Sequence, residues 1–468
     1  MTTILPFWFS DALKKEKKTK INKLKNNLHT DICIVGGGYT GLWTAIQLKK
    51  KQPSLNIAII DKGLCGSGAS GRNGGCMLPV SPKFSAMKKI VGEADAILMV
   101  KATEQALFEI KYFCNENNID AQIRLDGNLY TATNKAQIGR FEAVVKDLER
   151  KGINNWERWS KKKVQKHSGS QKNIDGYFSP LSGSLHPGLL VRGLKKIAEK
   201  KGVQIFENTP MIKIEENKKV VVQTKRGAIT SNKVVMAINV WMPQYFPSLS
   251  RAVVLVSSDM IITDPIPEQL DQIGFTDGKV ILDTRLFTHY YRTTIDGRLM
   301  LGKGGNLFSF NNKVIQAYDE ASRYEELLKN SFDRFFPSLC SVPFMQSWNG
   351  PSERTKTGFP FFGRLKDKSN IVYGFGYSGN GILPTYVGGK ILSSMVLDED
   401  NEWTRSSFCK GPLGLFPPEP FRWIGAITIR NAVMRKETAE DMGLRPWWID
   451  AKLAQLATSV GRLDKSSY

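Results

Sequence analysis

The feature that most constrains this chain is a run of glycines set between two apolar strands. Ile32-Cys33-Ile34-Val35 passes straight into Gly36-Gly37-Gly38-Tyr39-Thr40-Gly41. A helical spacing follows (Leu42, Ala45, Ile46, Leu48), and a second apolar run, Ile57-Ala58-Ile59-Ile60, ends on Asp61-Lys62. Strand, glycine turn, helix, strand and acid in this order form the βαβ fingerprint for an adenine dinucleotide. Gly36 permits the tight turn and Gly38 lets the backbone approach a pyrophosphate. Gly41 lets the helix lie close on the strand, its first amides aimed at the phosphates. Asp61 falls twenty residues after Gly41, where a carboxylate accepts hydrogen bonds from ribose hydroxyls.

That fingerprint alone does not separate NAD from FAD. The next segment, Ser67-Gly68-Ala69-Ser70-Gly71-Arg72-Asn73-Gly74-Gly75, leaves many backbone amides free for a long ligand lying across the sheet edge. Together, GGGYTGLWTA and DKGLCGSGASGRNGG resemble the FAD-dependent amine oxidoreductases of the D-amino-acid oxidase and glycine oxidase superfamily. The resemblance is nearest to the branch of gamma-glutamylputrescine oxidases and aminophosphonate oxidoreductase-like proteins. It implies that the glycine turn binds the FAD pyrophosphate, that Asp61 with Lys62 beside it meets the ribose, and that the GASGRNGG loop passes the flavin ring.

A second glycine-rich turn stands far downstream. Ile371-Val372-Tyr373-Gly374 reads as a strand, then Phe375-Gly376-Tyr377-Ser378-Gly379-Asn380-Gly381-Ile382 opens a helix over 385–397. Free amides and a positive dipole end suit either a phosphate or the negative charge of a reduced flavin. The order of strand, loop and helix resembles the superfamily's C-terminal flavin motif. By the same resemblance, the backbone at Met211 meets the adenine, and the turn after Ala237 lies near the pyrophosphate.

The fold expected is α/β: a Rossmann-like FAD-binding domain of the glutathione-reductase type, built from discontinuous segments, plus an antiparallel-sheet α+β substrate domain. Residues 31–80, 181–250 and 348–398 are assigned to the first, and 81–180 with 251–347 to the second. Residues 1–30 read as a polar lead-in, with a short helix at 10–18 and a solvated basic arm at 14–25. Residues 399–468 form a C-terminal extension packed on the core. Further expectations are helices at 94–115, 137–151, 189–201 and 317–336, strands at 119–131 turning on Asp126-Gly127, and a polar connection at 161–172.

The implied function is oxidation of a small primary or secondary amine (amino acid, polyamine derivative or aminophosphonate) by hydride transfer to flavin N5, giving an imine that hydrolyses. Tyr291 and Arg292 are the first candidates for the substrate side, with Arg298 and His186 behind them, since a guanidinium suits a carboxylate or phosphonate. Ordinary structural pairing is the competing reading of each. No side-chain base is required if the amine arrives unprotonated. Ser67–Gly75 and Trp348–Pro360 hold neither histidine nor cysteine, so the FAD is expected to be non-covalent. Sarcosine-oxidase relatives carry an oxygen-activating lysine where Met300 falls here, so oxygen or another electron acceptor remains open.

Composition bounds the alternatives. Over 468 residues, 41% hydrophobic and 24% charged, the chain reads as a soluble globular protein with no apolar run of membrane-span length. Six scattered cysteines without a CxxC pair and four unclustered histidines argue against a metal site or disulfide framework, and favour a reducing cytoplasm. The net charge of +22 admits RNA or an anionic membrane surface as partner, although lysines spread over most segments favour a solvated basic surface. An RNA-directed flavoenzyme is therefore the alternative from another class. A NAD-linked dehydrogenase would leave both later glycine loops idle.

Overall fold

The computed structural model describes residues 4–17, 20–366 and 368–457. Two eight-stranded sheets carry the chain. In the first, Ile57–Ile60 and Ala228–Met236 flank Leu28–Val35 in parallel, Gln204–Phe206 extends one side, and Lys368–Phe375 extends the other. Parallel strands buried on both faces must be apolar throughout, and Ile57–Ile60 is wholly buried. Met211–Glu216 and Val220–Thr224 form a small antiparallel appendage on Ala228–Met236.

One face of this sheet is covered by helices Tyr39–Lys51 and Ile382–Val396, which touch so closely that a Cβ on Gly389 would stand 2.7 Å from that of Trp43. The first of these is buried from Tyr39 to Leu48 and ends on three lysines, the sign of charge its dipole favours there.

The second sheet runs Phe344–Thr355, Val253–Thr263, Leu299–Phe308, His289–Thr293, Val280–Asp283, Asn128–Ala132, Asp175–Ser179 and Glu157–Trp159. Its pairs are antiparallel except for Val280–Asp283 against Asn128–Ala132. Helix Glu325–Phe335 packs Leu328 and Phe332 with Leu299 and Leu301 on the face away from the first sheet's cavity.

Several local expectations are corrected. Phe344–Thr355 pairs along Val253–Thr263, so residues 348–355 belong to the second sheet and not to the nucleotide domain. Residues 119–127 form no strand; Arg124 makes one isolated bridge to Ser184. The connection at 161–172 contains a helix, Lys161–Ser168, capped by Ser160. The helix placed at 317–336 is confined to 325–335. The lead-in is not merely polar: helix Phe7–Lys15 buries Phe7, Trp8 and Phe9. Nor is the basic arm wholly solvated, since Glu16 pairs with buried Arg192 and Leu24 is buried; Lys18 and Thr19 lie outside the described residues. In the extension, the longest helix runs over Phe421–Asp441.

That helix docks through charge. Asp441 meets Arg285 and Arg334, Glu437 Oε1 accepts from the Leu286 amide at 3.0 Å, and Glu440 pairs with Arg140 at 3.1 Å. Behind Arg285, Asp283 lies 2.8 Å from His289 Nδ1. Burial alone would raise Asp283, but His289 and Arg285 outweigh it and hold the carboxyl below its usual range, while burial keeps His289 neutral.

Candidate functional site

Neighbouring strands end at Val35, Ile60 and Met236, and a cavity of about 490 Å³, lined by Val35, Ile60 and Ala237, opens beyond them at the carboxyl edge where parallel sheets bind ligands. Gly36 turns the chain at φ +111°, and its amide donates to the Ile60 carbonyl at 2.8 Å. A Cβ there would meet the Ala237 oxygen at 2.4 Å, and one on Gly41 would meet the Gly36 oxygen at 2.0 Å. These two glycines are therefore required by packing of the turn against its own neighbours.

Of the residues expected on the cofactor side, Gly36, Gly38, Tyr39, Thr40, Asp61, Lys62, Ser67, Gly68, Ala69, Ser70, Arg72, Asn73, Gly74, Met211, Ala237, Gly379, Asn380, Gly381 and Ile382 line this one cavity. Gly41, Gly75, Gly376 and Ser378 do not. Gly41 faces the strand, Gly75 lies against the Leu185 carbonyl, and Gly376 lies against Thr355. Ser378 spends its hydroxyl on the Thr355 amide at 3.0 Å.

The lining is held from behind. Arg72 clamps the loop, donating to Ser67 O at 2.6 Å, Gly68 O at 3.2 Å and Tyr318 O at 2.9 Å. Asn73 ties Ala69 and Ser70 to the Gly75 amide. Asp61 accepts from the Gly37 amide at 2.7 Å and the Gly63 amide at 2.9 Å, and burial pushes its carboxyl up to about 6 despite both bonds. Lys62 sits 3.8 Å over the Trp241 ring.

The residues fit a flavin dinucleotide on their own geometry. Helices Tyr39–Lys51 and Ile382–Val396 both start at this cavity from glycine N-caps that have no side-chain cap. A Cβ on Gly381 would meet nothing nearer than 4.0 Å, so the backbone there leaves open space in front of a positive helix end.

None of the four substrate-side candidates reaches the cavity. Tyr291 points to the opposite face of the sheet, where its hydroxyl joins Asn173 at 2.7 Å and the Ser168 carbonyl at 2.9 Å, among Phe335 and Phe336. Arg292 is buried beneath the flavin loop, donating to Gly74 O at 2.7 Å, Leu185 O at 2.7 Å and Thr293 O at 3.1 Å. Arg298 pairs with Asp296 and lies over the Phe7 ring. His186 caps helix Pro187–Lys200 and bonds Asp11 at 3.0 Å.

The residue that does reach the cavity is Tyr290, one position earlier. Its ring lies flat over Gly302, where a Cβ would stand 2.3 Å away, and its hydroxyl is 3.1 Å from Ser258. Strand parity carried the signal: Tyr290 and Met300 fall in one core cluster, and Tyr291 with Leu299 and Leu301 in another. Cys76, Leu78, Ser258, Met260, Glu353 and Tyr377 also line the cavity without having been singled out. Cys76 directly follows Gly75, at the end of the loop Ser67–Gly75, which itself holds neither histidine nor cysteine.

The comparisons agree with this architecture. Residues 31–395 match the family described as DAO, FAD dependent oxidoreductase. The chain belongs to that family, and it is an FAD-dependent oxidoreductase. It is 26% identical over 387 residues to the gamma-glutamylputrescine oxidoreductase of Escherichia coli, covering 82% of this chain and 88% of that one. Among solved structures, the glycine oxidase of Geobacillus kaustophilus superposes with a TM-score of 0.67 at 18% identity, over 82% of this chain and 98% of the other. The L-proline dehydrogenase of P. horikoshii gives 0.67 at 17%, over 81% and 96%. No helix among the described residues is long and apolar enough to cross a membrane.

Proposed function

We propose that this protein oxidises a small primary or secondary amine, with FAD held non-covalently in the 490 Å³ cavity. The observation that carries the reading is the convergence of three glycine-bearing stretches, within 36–40, 67–74 and 379–382, on that cavity. Bound FAD supplies the two-electron acceptor for the amine C–H hydride. The chain supplies the rest. The helix end at Tyr39 and Thr40 would hold the diphosphate, Asp61 would accept from the ribose hydroxyls, and the helix end at Gly381 and Ile382 would offer its positive dipole to an anionic group of the cofactor. Tyr290, Met260 and Cys76 border the space left for the amine and exclude water from it.

Relatives named for gamma-glutamylputrescine and glycine support a nitrogen-bearing substrate. Met300 packs its Cε toward Gly74, and a thioether offers no charge to assist oxygen reduction, which favours another electron acceptor. The test is spectroscopic. Purified protein should be yellow, acid precipitation should release free FAD into the supernatant, and an anaerobic amine panel should bleach the flavin. Colourless protein that cannot be reconstituted, or flavin retained on the precipitate through Cys76, sinks the respective part of the proposal.

A further inference from the structure

A second, smaller cavity of about 110 Å³ adjoins the first. Its floor is the second sheet, through Val254, Val256 and Gly304, and its wall is the C-terminal helix, through Ala426 and Ile429. The two cavities share one face of strand Val253–Thr263: Val254 and Val256 line the small one, then Ser258 and Met260 line the large one. Residues two apart on a strand face the same side, so the surface is continuous. Tyr290 lines both cavities and stands between them.

Charge sits at the same junction. Arg354 lines the small cavity, and its Nη1 lies 2.9 Å from where a Cβ on Gly379, a residue of the large cavity, would stand. Nη1 donates to Ser352 Oγ at 2.7 Å and to the Glu353 carbonyl at 2.8 Å, while Nη2 is 3.2 Å from the corresponding point on Gly304. Arg430 borders the small cavity as well, fixed by the Asn306 carbonyl at 2.6 Å. An apolar chamber with a guanidinium at its mouth selects a molecule that is anionic at one point and aliphatic a few bonds away.

We propose that this chamber receives the side chain of the substrate, which is an anionic amine of the amino-acid type bearing a compact branched aliphatic group. This rests on the reading that the larger cavity holds the flavin. The side chains of Val254, Val256, Ala426 and Ile429 give the chamber an aliphatic lining that suits an isobutyl group. The family match ends at residue 395, whereas the wall comes from helix Phe421–Asp441. Side-chain selectivity is thus encoded in the extension, outside the part of the chain that the family shares.

The test uses holoenzyme and anaerobic flavin bleaching with glycine, alanine, leucine and tryptophan, each chiral one as both enantiomers, and with isoamylamine. One enantiomer of leucine should reduce the flavin at least tenfold more efficiently than glycine, the scale on which an apolar pocket resolves even one methylene group. Isoamylamine, which lacks the carboxylate, should fall at least tenfold below leucine. Ile429→Trp should lower the leucine-to-glycine ratio tenfold or more while FAD content is kept. Ala426→Phe fills the chamber from the next turn of the helix and serves if Ile429→Trp does not fold. Equal efficiency for glycine and leucine in the wild type, or an unchanged ratio in a variant that keeps its FAD, overturns the chamber and leaves amine oxidation standing. Protein that holds FAD but is bleached by no amine takes down both.

Discussion

Arg292 Nε donates to the Gly74 carbonyl at 2.7 Å, joining a strand of the second sheet to the loop that lines the flavin cavity, across 218 positions of sequence. The same guanidinium reaches Leu185 O and lies 4.7 Å over the Trp8 ring, so it also fixes the N-terminal helix. Burial pushes it down to about 10, which leaves it charged at neutral pH. This arginine ties the loop to the sheet from below and lies outside the lining of the cavity.

Arg292→Ala should therefore lose FAD and stability together, because three carbonyls would lose a charged donor at about 1–3 kcal/mol each. Flavin content per chain and the melting temperature measure it. Arg292→Lys should restore part of both. Normal flavin content with weaker amine binding would return the residue to the substrate side.

Asp61→Ala should weaken FAD retention and also loosen the turn, since the carboxylate fastens the Gly37 and Gly63 amides. Its raised value means that the folded apoprotein takes up a proton as pH falls through about 6. That contribution to apoprotein stability is present at low pH and is lost as pH rises from the ordinary carboxylate range near 4 toward 6. Ribose hydroxyls favour the carboxylate, so FAD rebinding should tighten with rising pH across that window, by up to about tenfold per unit. A flat titration in the wild type, or the same slope in Asp61→Asn, contradicts this assignment.

Tyr290→Phe and Tyr291→Phe should separate chemistry from scaffold. The first removes a hydroxyl that borders the cavity and should change the rate or affinity of flavin reduction with little effect on melting. The second leaves Asn173 without its bond to the phenol and should cost about 1–3 kcal/mol of stability while sparing the reaction. Stopped-flow reduction and thermal melts, read together, decide it; the opposite pattern would mean that the strand register is misassigned.

Arg285→Ala should release the C-terminal helix, because it leaves buried Asp283 and Glu437 without their guanidinium and removes one of the two arginines on exposed Asp441; breaking a buried pair typically costs about 3–5 kcal/mol. Acid should act on the same joint. His289 is held neutral below its ordinary value, so its contribution is full above about 6.5 and is lost as pH falls below that; the depressed Asp283 has the same sign lower down. Proteolysis near residue 420, followed from pH 7.5 to 5, should accelerate on acidification and in Arg285→Ala. Equal protection at every pH would show that apolar packing alone holds the helix.

The sequence by itself determined the nucleotide end of the molecule. Gly36, Gly41 and the strands around them are local devices, and spacing alone reports a tight turn, an acid after the second strand and a helix end facing phosphate. The substrate side was decided only by tertiary structure. Whether Tyr290 or Tyr291 meets the cavity depends on pairing register with Leu299–Phe308, and one residue of shift exchanges the faces. Burying Phe7 and Trp8, turning Arg292 onto Gly74, and laying helix Phe421–Asp441 over Val254 and Val256 are contacts between distant segments. No local periodicity encodes them, since each depends on which surfaces remain uncovered once both sheets have formed.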